Sequence, residues 1–412
     1  MKLRLHHRVV LASTIALSGV SVCALTARAM YRDSPKAVVD QAWQIVNRDY
    51  VDPNFNQVDW QEVRYSLLDR NYSSPDEAYN ALRDALKQLD DPYTRFMTPQ
   101  EFQAFEQQTQ GELVGIGLQL TEAPDHALTV VKPIDQSPAL AAGLKPGDQI
   151  VKIDGRTTEG MTVADAAQQI RGEAGTQVTL TVQRENTSPF DVTLTRARIQ
   201  IPAVVSAVHQ ENNHRVGYIR LSEFSAHSAD EMRAAITSLK QQNVDEFVLD
   251  LRDNPGGRLD QGVAIARMWI NDGDIVRTVD RHGDAEQVRA NHTALTDLPL
   301  AVLVNGHSAS ASEILTGALK DDHRASIVGT QTFGKALVQS VNSLADGSGL
   351  NVTIAHYFTP SGLDINHRGI SPDKVVPLSD EQQKELMSHP DEIGTAQDPQ
   401  YQEAIEALEA AS

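Results

Sequence analysis

The chain has 412 residues, enough at roughly 100–200 residues per domain for two to four domains whose cores need no covalent staples. Hydrophobic residues make up 41 % and charged residues 22 %, which excludes collagen-like, mucin-like and wholly disordered chains. With 36 Lys and Arg against 55 Asp and Glu, the net charge of −19 repels polyanions, so no nucleic-acid partner is expected, and a single Cys can build neither an internal disulfide nor a thiolate metal cage.

Residues 1–29 carry Lys2, Arg4 and Arg8, an apolar run from Val9 to Leu25, and Ala27-Arg28-Ala29. A basic head, an apolar segment and an Ala-x-Ala site are the parts of a secretory signal peptide, with cleavage expected after Ala29. The alternative is an uncleaved anchor, but the run is broken by Ser13, Thr14, Ser18, Gly19 and Ser21 and is short for a span of ~20 residues. Cys23 follows Val22, where a lipoprotein signal wants a small residue. Removing the segment takes Lys2, Arg4, Arg8 and Arg28 with it, so the net charge moves from −19 to −23 and no Cys remains. That composition suits an exported, periplasmic protein, membrane-associated only if the segment is kept.

Residues 34–109 are expected to be helical: Ala37, Val38, Ala42, Ile45 and Val46 recur at helical spacing, and Pro75-Asp76-Glu77 marks a helix start. From 110 to 187 the pattern changes to short apolar runs with turns, interrupted by two helical pieces, SPALAAGL and TVADAAQQIRG. From 188 to 378 strands and helices alternate (VGYIRL, EFVLDLR, LAVLVN, SIVGT and ALVQSV are the strands), implying βαβ crossovers and a mostly parallel sheet. Residues 379–412 are acidic and partly helical, with an apolar seam at Ala404, Ile405 and Leu408.

Leu300–Lys320 (LAVLVNGHSASASEILTGALK) reads as a buried strand, a sharp turn and a helix, a layout that presents a small hydroxyl outward with helix amides behind it. Ser308, Ser310 and Ser312 compete for the role of nucleophile there, against the plain alternative that they cap the helix. A serine nucleophile needs a base, and no His spacing supplies one. Lys335, in GTQTFGKALVQ, is the better candidate, since cover by Phe333, Leu337 and Val338 would disfavour its charged form. Gln339, four positions on, would share a strand face with it and could orient the amine. Gly329–Lys335 also fits GxxxxGK, but Ala336 stands where a magnesium-binding Ser or Thr should be and a β-run follows in place of a helix, so a nucleotide site is rejected. The adjacent glycines of LDLRDNPGG (249–257) allow backbone amides to approach a ligand, as an oxyanion hole requires. In the strand-rich module, GELVGIGLQL has a glycine loop whose amides can hold a terminal carboxylate while the sheet edge takes the rest of a peptide as an added strand.

GIGL with SPALAAGLKPGDQIVKIDG resembles a PDZ domain. Together with LDDPYTRF, LDLRDNPGG, NGHSASASEI, TFGKALVQ and YFTPSGLDINHRGISPD, in that order, it resembles the carboxyl-terminal processing peptidases, or tail-specific proteases, over about residues 35–378. The resemblance implies a multidomain chain of α/β and α+β classes: a crotonase-like α/β serine protease core with an inserted PDZ domain and helical N- and C-terminal segments. It implies Ser310 as nucleophile, Lys335 as general base, Gln339 as the assisting residue, and the amides of Gly257 and Ala311 as oxyanion donors. A substrate tail would bind at Gly115, Ile116, Gly117 and Leu118. It further implies protein substrates with exposed apolar carboxyl termini, no metal or other cofactor, and room for an adaptor protein or for self-association through the terminal helices. Ala336 departs from the usual Gly-Lys-Gly, and Arg171 matches an arginine that in relatives couples PDZ to protease. The rivals are a non-catalytic peptide-binding scaffold of the same fold and an acyl-transfer enzyme on the crotonase-like core.

Overall fold

In the computed structural model, residues 34–411 are described apart from 124, 125 and 284; the signal-peptide expectation for 1–29 lies outside them. The chain divides into two compact units, one comprising the chain up to Phe102 with Gln339–Ala355, the other Gln103–Val338 with the chain from His356 on. The first unit is thus not one continuous stretch.

Its helices Pro35–Asp49, Trp60–Asp69 and Pro75–Lys87 start where Ser34, Asp59 and Ser74 accept an amide of the first turn, and two of them carry Pro at the start, where no donor is lost. Their apolar stripes, including Val38, Trp43, Leu82 and Leu86, bury against Leu350 and Val352. Arg95–Met97 pairs antiparallel with Gly349–Asn351.

In the second unit, an antiparallel sheet runs Leu118–Glu122, Leu128–Pro133, Gln149–Ile153, Gln177–Gln183, Phe190–Thr195, with Arg156–Thr157 paired to Gln149–Ile153. The sheet runs on past residue 187, because Phe190–Thr195 forms the second arm of a hairpin with Gln177–Gln183. Leu118–Glu122 stands at the sheet's edge, and helix Val163–Ile170 caps the module's core of Ile116, Leu128, Val130, Ile150, Leu180 and Val182.

The other sheet has the order Val204–Glu211, His214–Leu221, Glu246–Asp250, Leu300–Val304, Ser326–Gly329, Lys374–Val375; its first pair is antiparallel and the rest are parallel. Both faces are covered, which is why these strands read as unbroken apolar runs. Leu249, Val302 and Ile327 pack with residues of helices Ser228–Gln241, Leu259–Trp269 and Ala311–Asp321. Val216, Val248, Ala301, Leu303 and Val328 pack against Ala404, Ile405 and Leu408 of helix Pro399–Ala411. The C-terminal seam, one of the surfaces that the resemblance left available for self-association, is buried inside the chain. Sequence patterning missed the hairpin of Asp274–Asp280 with Ala285–Arg289 because neither strand alternates cleanly: the first buries Ile275 and Val276 side by side, and the second lies largely exposed. Among the described residues no helix is long and apolar enough to cross a membrane.

Candidate active site

Three adjacent parallel strands, Glu246–Asp250, Leu300–Val304 and Ser326–Gly329, feed from their carboxyl ends into the turns 251–257, 305–310 and 330–336. Carboxyl ends of parallel strands are where open α/β sheets gather their functional loops. Each turn holds one of the motifs singled out above.

Helix Ala311–Asp321 begins at Ser310, whose φ of 56° and ψ of −113° are unusual for a residue with a Cβ. The three serines separate cleanly. Ser308 and Ser312 are fully buried, and their hydroxyls donate to the carbonyls of Leu251 (2.7 Å) and Asn254 (2.9 Å). Ser310 is half-exposed. The bonds of Ser308 and Ser312, with the Ala309 amide on Asn254 O at 3.0 Å, lash the serine turn to the 251–257 turn.

Gly256 and Gly257 lie in positive-φ conformations, 96° and 139°. A Cβ on Gly256 would stand 2.8 Å from Ser310 Cβ and 2.9 Å from the Ala311 amide nitrogen, and one on Gly257 would stand 2.5 Å from the Phe224 carbonyl oxygen. Glycine is required on both counts, conformation and close approach. The Gly256 amide already donates to Asn254 Oδ1 at 2.9 Å, so of the two glycines it is the one whose donor is committed.

Lys335 sits in the loop ahead of strand Leu337–Ser343, not in it, so the shared strand face argued for Lys335 and Gln339 does not arise. Phe333, expected to cover the lysine, is 54 % exposed. Lys335 itself is half-buried, as are Leu337 and Val338. The loop is shaped by contacts with the 365–370 segment: Gly334 has φ 89°, a Cβ there would lie 2.8 Å from the Arg368 and Gly369 amides, and the His367 amide donates to Gly334 O at 2.8 Å. A strand follows Lys335, and no helix N-terminus stands there for a phosphate. Gln339 lies in that strand with its amide 3.5 Å from Thr353 Oγ1.

What brings the serine and lysine segments together is Glu313, fully buried on the first turn of the Ser310 helix. One carboxylate oxygen accepts the Ser310 amide (2.9 Å) and the Lys335 amide (2.9 Å); the other accepts the Thr332 hydroxyl (2.6 Å) and the Gly334 amide (2.7 Å). Burial pushes the Glu313 carboxyl above its ordinary range, and the four donors pull against that push. From the other side, the Tyr357 hydroxyl lies within hydrogen-bond reach of the carbonyls of both Ser310 (3.1 Å) and Lys335. His307 is exposed and contacts Asp253 at 3.0 Å. Before the glycine turn, Arg252 binds Asp250 (2.6 Å) and Asp398 (2.7 Å) in a buried network that also holds the start of the C-terminal helix.

Glu313, Tyr357 and Asp398 were missed by sequence reasoning. Only Glu313, in the third helical position after Ser310, carried a signal, that of a capping box.

In the PDZ-like module, Gly115 ends a strand paired with Ala197–Gln200, Ile116 is buried, and Gly117 has φ 75°. The Ile116 carbonyl accepts the Ala139 amide and the Gly117 carbonyl the Ile134 amide, both at 2.9 Å. Leu118 and Leu120 are half-buried against the module's core, alternating with Gln119 and Thr121 along the edge strand. Arg171 ends helix Val163–Ile170 and is exposed.

Residues 215–376 match the model of peptidase family S41 and residues 129–184 that of the PDZ domain. A carboxyl-terminal-processing protease of Picosynechococcus sp. is 44 % identical over 370 residues, 89 % of this chain and 88 % of that protein. One from Synechocystis sp. is 43 % identical over 371 residues, 89 % and 85 %. The solved structure of a photosystem II D1 C-terminal processing protease matches with a TM-score of 0.56 at 36 % identity, covering 83 % of this chain and 93 % of the other.

Proposed function

This chain belongs to peptidase family S41 and is a serine-type endopeptidase acting on protein substrates, and within that family we propose that it is an exported enzyme that cuts near the carboxyl terminus, using a Ser310/Lys335 dyad. The observation that carries the dyad is the shared carboxylate: Glu313 accepts both the Ser310 and the Lys335 amides, so the two residues are held on one anchor. Neutral Lys335 takes the proton from Ser310 Oγ as the oxygen attacks the scissile carbonyl. The tetrahedral oxyanion forms against the amides of Gly257 and Ala311, each such donor contributing about 3–4 kcal/mol. The C–N bond breaks, the proton passes to the leaving amine, and water, deprotonated by the same lysine, releases the acyl group from Ser310. Gln339 is assigned the assisting role on the family resemblance alone. The commitment of the Gly256 amide to Asn254 favours Gly257 as the second donor.

The substrate tail adds as a strand along Leu118–Glu122, the open edge of the PDZ sheet, with its carboxylate near Gly115, Ile116, Gly117 and Leu118 and apolar side chains toward Leu118 and Leu120. Residues 1–29 support export.

The test is purified protein from residue 30 onward, as wild type, Ser310→Ala and Lys335→Ala, incubated with an unfolded protein ending in an apolar or a charged tail. Wild type should cleave the apolar-tailed substrate faster and be unaffected by EDTA, while both variants fall by at least ~10³-fold. Activity that survives in Ser310→Ala overturns the dyad, and binding without cleavage in wild type establishes a scaffold.

A further inference from the structure

Tyr357 is 1 % exposed and among the largest fully buried side chains of the chain. A buried tyrosine needs a partner for its hydroxyl. Here the hydroxyl's single proton is shared between the carbonyls of Ser310 and Lys335, while the Tyr357 amide donates to the Ala336 carbonyl at 2.9 Å. Glu313 meanwhile holds the amides of the same two residues. Each member of the dyad is therefore held on both sides of its Cα, from below by a carboxylate and from above by a phenol.

The consequence lies in the peptide plane that follows Ser310. Its carbonyl and the Ala311 amide belong to one rigid unit, so a donor that fixes the carbonyl also fixes where the Ala311 N–H points. Ser310 sits at φ 56°, a conformation that costs a non-glycine residue on the order of 1–3 kcal/mol and persists only where the surroundings over-determine it. The Glu313 and Ile314 amides hold that carbonyl from within the helix (2.8 and 3.0 Å). The Tyr357 hydroxyl is the contact that ties it to the lysine loop. We infer that Tyr357 is a positioning residue: through the Ser310 carbonyl it aims the Ala311 amide at the oxyanion, and through the Lys335 carbonyl it keeps the base in register with the nucleophile. This rests on the dyad proposed above.

Removing the hydroxyl alone tests it. Tyr357→Phe should lower kcat roughly 10- to 100-fold, less than outright loss of an oxyanion donor, with KM within about twofold. Affinity for a peptide aldehyde, which becomes a tetrahedral adduct on Ser310, should fall by the same factor as kcat, while affinity for the matching uncleaved peptide stays constant. Leu239→Ala, a buried core variant on helix Ser228–Gln241, outside the three catalytic turns, supplies the stability control: at a comparable loss in Tm it should leave the aldehyde-to-peptide affinity ratio unchanged. Tyr357→Leu, which also lacks a donor, provides a second variant should the phenylalanine protein fold poorly. If Ser310→Ala is inactive while Tyr357→Phe keeps wild-type kcat and aldehyde affinity, the inference is wrong and the dyad stands. If Ser310→Ala retains activity, the dyad itself is wrong.

Discussion

The catalytic turn and the PDZ loop use the same local device and secure it by different means. In each, a positive-φ glycine is pressed against a serine that opens a helix: Gly256 against Ser310, and Gly117 against Ser137, where a Cβ would lie 2.3 Å from Ser137 Cβ. The PDZ loop is then held mostly by backbone, through the Ile116 and Gly117 carbonyls. The catalytic turn is held by side chains, Asn254, Glu313 and Tyr357, which arrive from separate stretches of the sequence. A loop tied by its own backbone tolerates many side chains. A turn tied by three buried polar groups depends on each of them, because removing one partner strands the others in a dry interior.

The largest break in that comparison should come from Glu313. Glu313→Gln keeps the shape but turns an amide nitrogen toward two donors that need an acceptor. We expect kcat to fall roughly 10²- to 10³-fold. Glu313→Leu leaves all four donors unpaired and should cost ~3–5 kcal/mol, read by denaturant unfolding. A Gln variant with normal kcat would mean that the shared anchor does not set the dyad's geometry.

Gly257→Ala comes next. Its Cβ meets the Phe224 carbonyl and its φ of 139° excludes an L side chain, so the turn must shift. The expected result is a kcat loss of roughly 10²-fold with the tail still bound, measured by single-turnover cleavage beside peptide-binding titration.

How much of this was legible beforehand follows from the same contrast. The strands, the Ser310 turn and the paired glycines were readable because each depends on neighbours in sequence: apolar runs, a helix start, two adjacent residues without Cβ. Which of Ser308, Ser310 and Ser312 was free to react could not be read locally, since it was decided by the carbonyls of Leu251 and Asn254, more than fifty positions away. Glu313 looked like an ordinary capping residue because three of its four donors come from residues 332–335. Lys335 was expected in a strand under Phe333, but Gly334 and the 365–370 segment set its backbone instead. The C-terminal seam was visible as a seam, while its partner, the far face of the parallel sheet, was not.

Within the PDZ module two neighbouring glycines sharpen the comparison with smaller effects. Gly117→Ala, with φ 75° and Ser137 in its way, should cost about 1–3 kcal/mol and weaken tail binding, leaving turnover of a short peptide that lacks the tail unchanged. Gly115→Ala has open space around the new Cβ and should stay within about 0.5 kcal/mol of wild type in unfolding and tail-binding titrations. Equal effects at the two positions would contradict the backbone-held loop.

Acid should separate the two regions with opposite signs. Burial pushes the Asp148 carboxyl up, but Arg184, paired with it at 2.6 Å, and the Lys145 amide hold it below its ordinary value overall. A carboxyl lowered in the folded state contributes stability that is present above its unfolded pKa of about 3.9 and is lost as pH falls through the folded value. Glu313 is raised, so its contribution is complete below the unfolded pKa of about 4.3 and is lost as pH rises through its folded value. Acidifying from neutrality therefore first relieves the carboxylate buried beside the dyad and only below about pH 4 loosens the PDZ module. Hydrogen-exchange protection factors from pH 6 to pH 3 should show the Gly334 and Lys335 amides holding or gaining protection while the Lys145 amide loses it at the acid end. Asp148→Asn should abolish the acid-end loss at Lys145 without touching the Lys335 amide. Parallel loss of protection in both regions would mean that the two carboxyls do not control them separately.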